Sequence, residues 1–472
     1  MNKLSMLLLA GATFMASVHA KSTNPTLHEI KPSKTTKENL PLAELISQDL
    51  LSEKQLDAMR QNGRWLGPNW WANRLHDWKV KDGAFVCQPN SAFLGWRIAH
   101  DMTHVIKSNL KASVKLTLNS NKKKLKISKQ SMAGFLIGAG HSLDNPLSKA
   151  LIFDFHSRGK NWPAIPGSGI AVGINAEGLL RIVDLDTGKV LAQAQQKKGF
   201  SNKAKLTITT KGQGKQVQLI AAVSYAGKKD LVAQAKISSK RLRGGLALLS
   251  HPGKKAPKTA SLETTFAQFK VSKGCSRNKS LATGPIVATQ YTVDRGILKI
   301  SAQLMPQHKD TPVSLSLFKN GQWQKVSTQK VHPIDQMVLF RLENWDATQA
   351  LPFRVSIKLD NVSKPATYTG RITAEPKKGN IRLAALGCII HRPWGHVSNW
   401  NKLTYFPHHE LQEQALAKKP DAVFFYGDQM YENTPSRVDR KNYHEDYLYK
   451  WLFHCVAFRE MLRNNPSITI PD

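Results

Sequence analysis

Apolar and polar residues alternate with a period of two through the middle of this chain, and the period changes near its end. From about residue 64, short apolar-polar runs recur at 112–118, 135–137, 151–155, 179–183, 206–209, 217–223, 245–249 and 265–271, separated by turns of Gly, Asn and Lys. Many short strands with no helical stretch between them predict a β-sandwich. Ahead of it, residues 21–42 are polar and read as a linker. Leu45, Leu56 and Met59 share one face of a short helix over 43–61. Trp65, Trp70, Trp71 and Trp78 cluster where the β pattern begins. They read as core plugs, with a sugar-stacking platform as the alternative, since an aromatic face serves either use.

A second β unit follows. Leu298, Ile300, Ala302 and Leu304 alternate with polar neighbours, then Val313, Leu315 and Leu317, then Phe353, Val355, Ile357 and Leu359. Asn320-Gly321 marks a two-residue hairpin. The pattern predicts an immunoglobulin- or fibronectin-like domain. Past Glu375-Pro376-Lys377 the period switches again. Strand 381–386, helix 409–419, strand 422–426, helix 443–463 and strand 467–470 give β-α-β-α-β, hence a parallel sheet with right-handed crossovers. Ligands of such sheets gather outside the carboxyl ends of the strands. Cys388, Asp428 and Asp472 each stand at such an end. Ligand-type residues reaching one edge from separate strands are how a di-metal hydrolase is built. His391, His396, His408 and His409 lie nearby at no spacing that assigns them.

Composition narrows the function classes. A chain of 472 residues is too long for one compact domain, and 41% hydrophobic residues exclude wholesale disorder. Lys3, the apolar stretch to Val18 and the small residues around Val18-His19-Ala20 read as a cleavable leader, which implies a secreted or periplasmic protein. No later run is apolar enough to span a membrane. Lys and Arg outnumber Asp and Glu 68 to 33, a formal charge of +35. Such a surface attracts polyanions. With no zinc finger, helix-turn-helix or aromatic RNA-binding signature, specific nucleic-acid recognition is not expected. Phosphate or sulfate esters, or an anionic polysaccharide, fit better. Cys87, Cys275, Cys388 and Cys455 are too widely spaced for a metal finger. Cys87 and Cys275 lie near the two ends of the sandwich, which would allow a bridge between them in an oxidising compartment.

Two resemblances sharpen this picture. Gly244-Gly245-Leu246-Ala247-Leu248-Leu249 and Phe266-Ala267-Gln268-Phe269 resemble the closing strands of concanavalin-like or laminin-G-like sandwiches. Gly387-Cys388, Tyr426-Gly427-Asp428-Gln429-Met430-Tyr431-Glu432 and Ile470-Pro471-Asp472 resemble the first three signature blocks of alkaline phosphatase D-like metallophosphoesterases. That resemblance implies a phosphatase or phosphodiesterase acting on a phosphoester. Its metal ligands would be Cys388, Asp428, Tyr431 and Asp472, with Asp428 bridging and catalytic. Its cofactors would be two or more metal ions, iron(III) with calcium or other divalent cations.

The expected organisation is multidomain. Residues 1–20 are the leader, 21–62 the linker with its short helix, and 63–276 the concanavalin-like sandwich. Residues 284–375 are the fibronectin-like domain, and 379–472 the start of a four-layer αββα metallophosphoesterase domain. Further ligand blocks would lie beyond residue 472, so the 472-residue chain is expected to be inactive as it stands. The rival reading is a non-catalytic secreted protein that binds an anionic polysaccharide through its β domains.

Overall fold

In the computed structural model, the described residues are 5–8, 52, 59, 63–72, 75–88, 96–120, 131–139, 169–196, 202–225, 230–251, 262–279, 282–360, 362–377, 379–389, 409–431 and 443–470. Most of the expected leader, the linker helix, the strand over 151–155, and Asp472 lie outside them. Within the leader stretch, β1 (Ser5–Leu8) pairs in parallel with residues 382–385.

The first and largest unit is built from β2 (Trp70–Ala72), β3 (Trp78–Lys81), β4 (Ala84–Cys87), β5 (Arg97–Ser120), β6 (Met132–Ala139), β7 (Ile170–Ile174), β8 (Leu179–Asp184), β9 (Lys189–Gln195), β10 (Lys203–Lys211), β11 (Gln216–Ser224), β12 (Leu231–Ser238), β13 (Gly245–His251) and β14 (Leu262–Arg277). β5 belongs to both layers of the sandwich. It turns at Asn109, whose φ of 43° an Asn tolerates better than most residues. Before the turn it pairs with β13, after it with β10, and on both sides of it with β14. One layer runs β5-β13-β6-β7-β8-β9 and the other β12-β11-β10-β5-β14.

Alternation decides the faces. In β10 the buried residues are Ala204, Leu206, Ile208 and Thr210, and their neighbours point outward. Leu206, Leu219 and Val223 meet Phe135, Val172 and Leu248 of the opposite layer in one apolar core. Where the layers approach, Gly134 leaves no room for more: a Cβ there would lie 2.8 Å from the Leu206 side chain. Trp65, Trp70, Trp71 and Trp78 are 5% exposed or less, so the cluster belongs to the core and the sugar-platform alternative is set aside. An internal ion pair, Arg97 Nε to Asp77 Oδ2 at 2.5 Å, lies among them with both side chains fully buried.

The expected Cys87–Cys275 bridge is corrected, because both thiols are free. Cys87 faces Thr264, which lies on the same strand as Cys275 but eleven residues before it. At ~3.3 Å per residue the two sites are roughly 36 Å apart along β14, far beyond disulfide reach.

Next come a three-stranded and a four-stranded antiparallel sheet. β15 (Ile286–Asp294), β16 (Ile297–Leu304) and β19 (Met337–Leu342) form the first. β17 (Pro312–Lys319), β18 (Gln322–Lys330), β20 (Leu351–Ile357) and β21 (Ala366–Ile372) form the second. Leu298, Ile300 and Phe340 of one pack with Leu315, Phe353 and Val355 of the other.

The last unit is β22 (Arg382–Leu386), α1 (His409–Ala417), β23 (Ala422–Tyr426), α2 (Tyr443–Leu462) and β24 (Ser467–Ile470). Its strands are parallel in the order β1-β22-β23-β24. α2 covers one face, with Phe425 lodged 5.1 Å from Phe458. It also ties the units together. Trp71 of the sandwich packs on Tyr449 and Phe453, and Trp451 Nε1 donates to Gln303 Oε1 of β16 at 2.9 Å. On the other face Tyr426, Ile468 and Ile470 remain 36%, 55% and 43% exposed. Of the four-layer αββα expectation, the described residues show one parallel sheet with helix on one face, and no second sheet stacks on the other.

Candidate functional site

Two places carry the chemistry. The first is the carboxyl edge of the parallel sheet, where β22 ends at Gly387-Cys388 and β23 at Gly427-Asp428. Gly387 lets the Tyr426 ring lie close, since a Cβ there would come within 2.3 Å of it and displace it. Cys388 and Asp428 both adopt left-handed backbone, φ 54° and 56°. Such conformations cost on the order of 1–3 kcal/mol each and persist where surrounding structure imposes them.

These turns bring together three of the four expected ligands. Cys388 Sγ lies 3.3 Å from Tyr431 Oη. Tyr431 also hydrogen-bonds Asp428, and its phenol is pushed well above the ordinary tyrosine value, first by burial and then by those two neighbours. Negative charge on any member of this trio is opposed by the others, and a cation would relieve that opposition. Asp472 lies outside the described residues, but β24 does end beside the cluster: Gly427 N and Gln429 Nε2 donate to Ile470 O at 3.1 and 3.2 Å. Among the described residues no three His, Cys, Asp or Glu side chains gather to hold a metal. The trio supplies one thiol, one phenol and one carboxylate, so the two-metal iron(III)–calcium centre implied by the phosphatase resemblance does not fit the donors described.

The second place was not foreseen from the sequence. The outward face of the layer β12-β11-β10-β5-β14 is studded with lysines. Lys111 and Lys115 on β5, Lys203, Lys205 and Lys211 on β10, Lys236 on β12, and Lys270 and Lys273 on β14 are all exposed. Lys115 stands directly opposite Lys205, and Lys111 opposite Lys273. Between them lie Ser113, Thr117, Thr207, Thr209, Gln218 and Gln234. Of the two carboxylates in these five strands, Asp101 is buried and bonded to Thr103 and His104. Glu263, the other, accepts from Asn119 Nδ2 at 3.3 Å at the edge of the face. Like charges opposite one another on a sheet destabilise it, so this arrangement works against the fold. A signal was present in the sequence: Lys111-Ala112-Ser113-Val114-Lys115 places lysine on the polar beat of a period-two strand.

Comparison with known proteins finds similar sandwiches and nothing finer. No family model matches the chain, and no curated protein matches it. Similar solved structures are lectin-type sandwiches. They include lectin I-B4 from Griffonia simplicifolia in its metal-free form, at 10% identity and TM-score 0.29, covering 43% of this chain and 92% of that one. The Ca2+-bound exoplasmic/lumenal domain of VIP36 is another, at 11% identity and TM-score 0.28, covering 49% and 98%. Lectin I from Ulex europaeus, solved with the methyl glycoside of α-L-fucose, is a third, at 14% identity and TM-score 0.29, covering 44% and 95%. At these identities the likeness is one of fold alone. The phosphoester hydrolase expectation is corrected on other ground: no family model and no curated protein ties residues 379–472 to the phosphatase family. Among the described residues, no helix is long and apolar enough to cross a membrane.

Proposed function

We propose that this chain is a secreted or periplasmic polysaccharide-binding protein whose ligand is anionic, held on the lysine face of the sandwich. The observation that carries the reading is the pair of like-charge cross-strand contacts, Lys115–Lys205 and Lys111–Lys273, on a face whose one outward carboxylate sits at its edge. Unbound, that face repels itself; a polyanion laid across it converts the repulsion into attraction. The hydroxyl and amide side chains between the lysines suit the hydroxyl groups of sugars. No aromatic side chain stands at the outward positions of β10, β11 and β12, so nothing there stacks a nucleic-acid base.

The test is retention on immobilised heparin and alginate, with neutral dextran and duplex DNA as comparisons. The expected result is elution from heparin or alginate only at elevated salt, no retention on dextran, and earlier elution of Lys115→Glu/Lys205→Glu. Equal retention of that variant, or binding to DNA alone, would sink the proposal.

A second reading concerns the strand-end trio, supported by the 3.3 Å approach of Cys388 and Tyr431 with Asp428 beside them. This trio is proposed as a single-cation site for iron(III) or calcium, with no hydrolytic step attached to it. Thiolate and phenolate donors favour the former and carboxylate oxygen the latter. A visible phenolate-to-iron absorption that Tyr431→Phe abolishes would support iron. No spectral change with iron and no calorimetric response to calcium would remove the reading.

A further inference from the structure

Where α2 meets β16 and the segment before β19, the structure holds an open cleft of about 710 Å³, lined by Tyr443, Tyr447, Trp451, Met430, Ile334 and Asp335 among others. The three aromatic residues follow one another at four-residue intervals along α2. A helix rises 1.5 Å per residue, so their rings form a stripe with a spacing of about 6 Å. Trp451 is fixed in place, its indole N–H donated to Gln303 Oε1 at 2.9 Å. Gln303, 4% exposed, is itself anchored through Nε2 to the carbonyl of Asp335 at 2.8 Å. Tyr443 is 49% exposed and Ile334 57%, while Tyr447 and Trp451 are partly buried. A second cleft of about 460 Å³ shares Ile334, His444 and Leu448 with the first, so the two form one groove.

The carboxylates along this groove have partners. Arg64 Nη1 lies 2.5 Å from Glu445 Oε1, and His332 Nδ1 lies 3.0 Å from Asp335 Oδ1. The groove thus differs in kind from the lysine face. It offers aromatic rings braced by neighbours, Trp451 stacked on His454 at 4.9 Å and Tyr443 against His444 at 3.9 Å, with tyrosine hydroxyls, imidazole and carboxylate beside them, and no excess of cations. Ligand sites of this sort are mostly apolar with a few placed polar groups. The ligand that matches is a ring with one apolar C–H face and a rim of hydroxyls.

We propose that the groove along Tyr443, Tyr447 and Trp451 binds uncharged pyranose rings of a glycan chain, one ring per aromatic side chain. This site is separate from the lysine face and does not depend on it. The test titrates the full chain with cellohexaose, maltohexaose, chitohexaose and mannohexaose, followed by tryptophan fluorescence and calorimetry. At least one should bind with an affinity insensitive to salt. Tyr443→Ala and Tyr447→Ala should each weaken that binding about fivefold to tenfold, the range expected for losing one stacked ring. Trp451→Phe, which keeps a flat face and the helix, should weaken it less than Tyr447→Ala. Lys115→Glu/Lys205→Glu should leave it unchanged, so failure of the lysine-face reading would be seen separately. The proposal is overturned if none of the four binds at up to about 10 mM, a Kd too weak to matter. It is overturned equally if a folded Tyr443→Ala/Tyr447→Ala variant binds like the parent, or if binding follows the lysines and salt.

Discussion

Trp71, at the start of the sandwich, packs its ring 5.1 Å from Phe453 in the middle of α2. Nearly four hundred residues of chain separate the two, yet both are buried, at 2% and 1% exposure. The contact makes the β-sandwich and the parallel sheet parts of one folded body. Trp71→Ala should cost about 3–5 kcal/mol, as large-to-small changes in cores do. Chemical denaturation followed separately by β-sheet and helix signals should show both transitions moving together. A shift confined to one signal would show that α2 and the sandwich unfold independently.

Charge reversal at Lys115 should separate stability from binding. Lys115→Glu replaces a like-charge pair with Lys205 by an opposite-charge one, worth roughly 0.2–1 kcal/mol in favour of the folded state. Retention on heparin should nonetheless fall. A variant that is both more stable and weaker in binding identifies the lysines as kept for the ligand. Unchanged stability would mean solvent screens the pair entirely.

The four thiols should differ sharply in reactivity. Cys388 is exposed, whereas Cys87 and Cys455 are buried with their thiols pushed far up by desolvation. Cys275 is pushed up to about 12, by burial first and by Asp101 second. Iodoacetamide near pH 8 should label Cys388 alone in the native protein and all four in denaturant, as counted by mass spectrometry. Early labelling of Cys275 would contradict its burial.

The same group predicts a direction for alkaline stability. The fold accepts the neutral Cys275 thiol, so its folded value lies above the unfolded 9.0. That contribution is intact below 9.0 and is lost as the pH rises toward about 12. Cys275→Ala should therefore soften the fall in stability on the alkaline side and leave the slope at neutral pH unchanged. Denaturant midpoints measured between about pH 7 and 10 would check it.

Local pattern was enough to place the regular elements of the last unit. Strands at 422–426 and 467–470 and the helices beginning at His409 and Tyr443 follow from apolar runs bounded by Gly and Pro. That the Cys388 and Asp428 turns share one edge followed from the rule that parallel strands deliver their carboxyl ends there, whereas Tyr431 came only with the resemblance. What failed was the step from that meeting to a known enzyme. A short signature at a strand end constrains local geometry, not the ligands that must arrive from elsewhere, and these do not gather among the described residues. The tryptophans at 65–78 cluster in sequence and are core, as their aromatic and apolar neighbours indicated. The aromatic stripe on α2, of which only Tyr443 is exposed, is not legible in the sequence because an i, i+4 repeat of Tyr443, Tyr447 and Trp451 looks the same whether it faces a core or water. The lysine face needed cross-strand register, which no single strand reveals.

The open side of the parallel sheet has a consequence for handling the protein. Among the described residues, Tyr426, Ile468 and Ile470 present exposed apolar surface beside the strand ends, and a sheet of this type ordinarily has both faces covered. Two molecules meeting there would gain by excluding water, but each carries +35 and is held off by its own kind. Colloidal behaviour should then be governed by ionic strength. In dilute buffer, where the Debye length is about 30 Å at 0.01 M, the protein should stay dispersed. At about 1 M salt that length shrinks to roughly 3 Å, the repulsion no longer reaches across the gap, and light scattering should rise. Ile468→Lys should keep the solution clear under the same conditions.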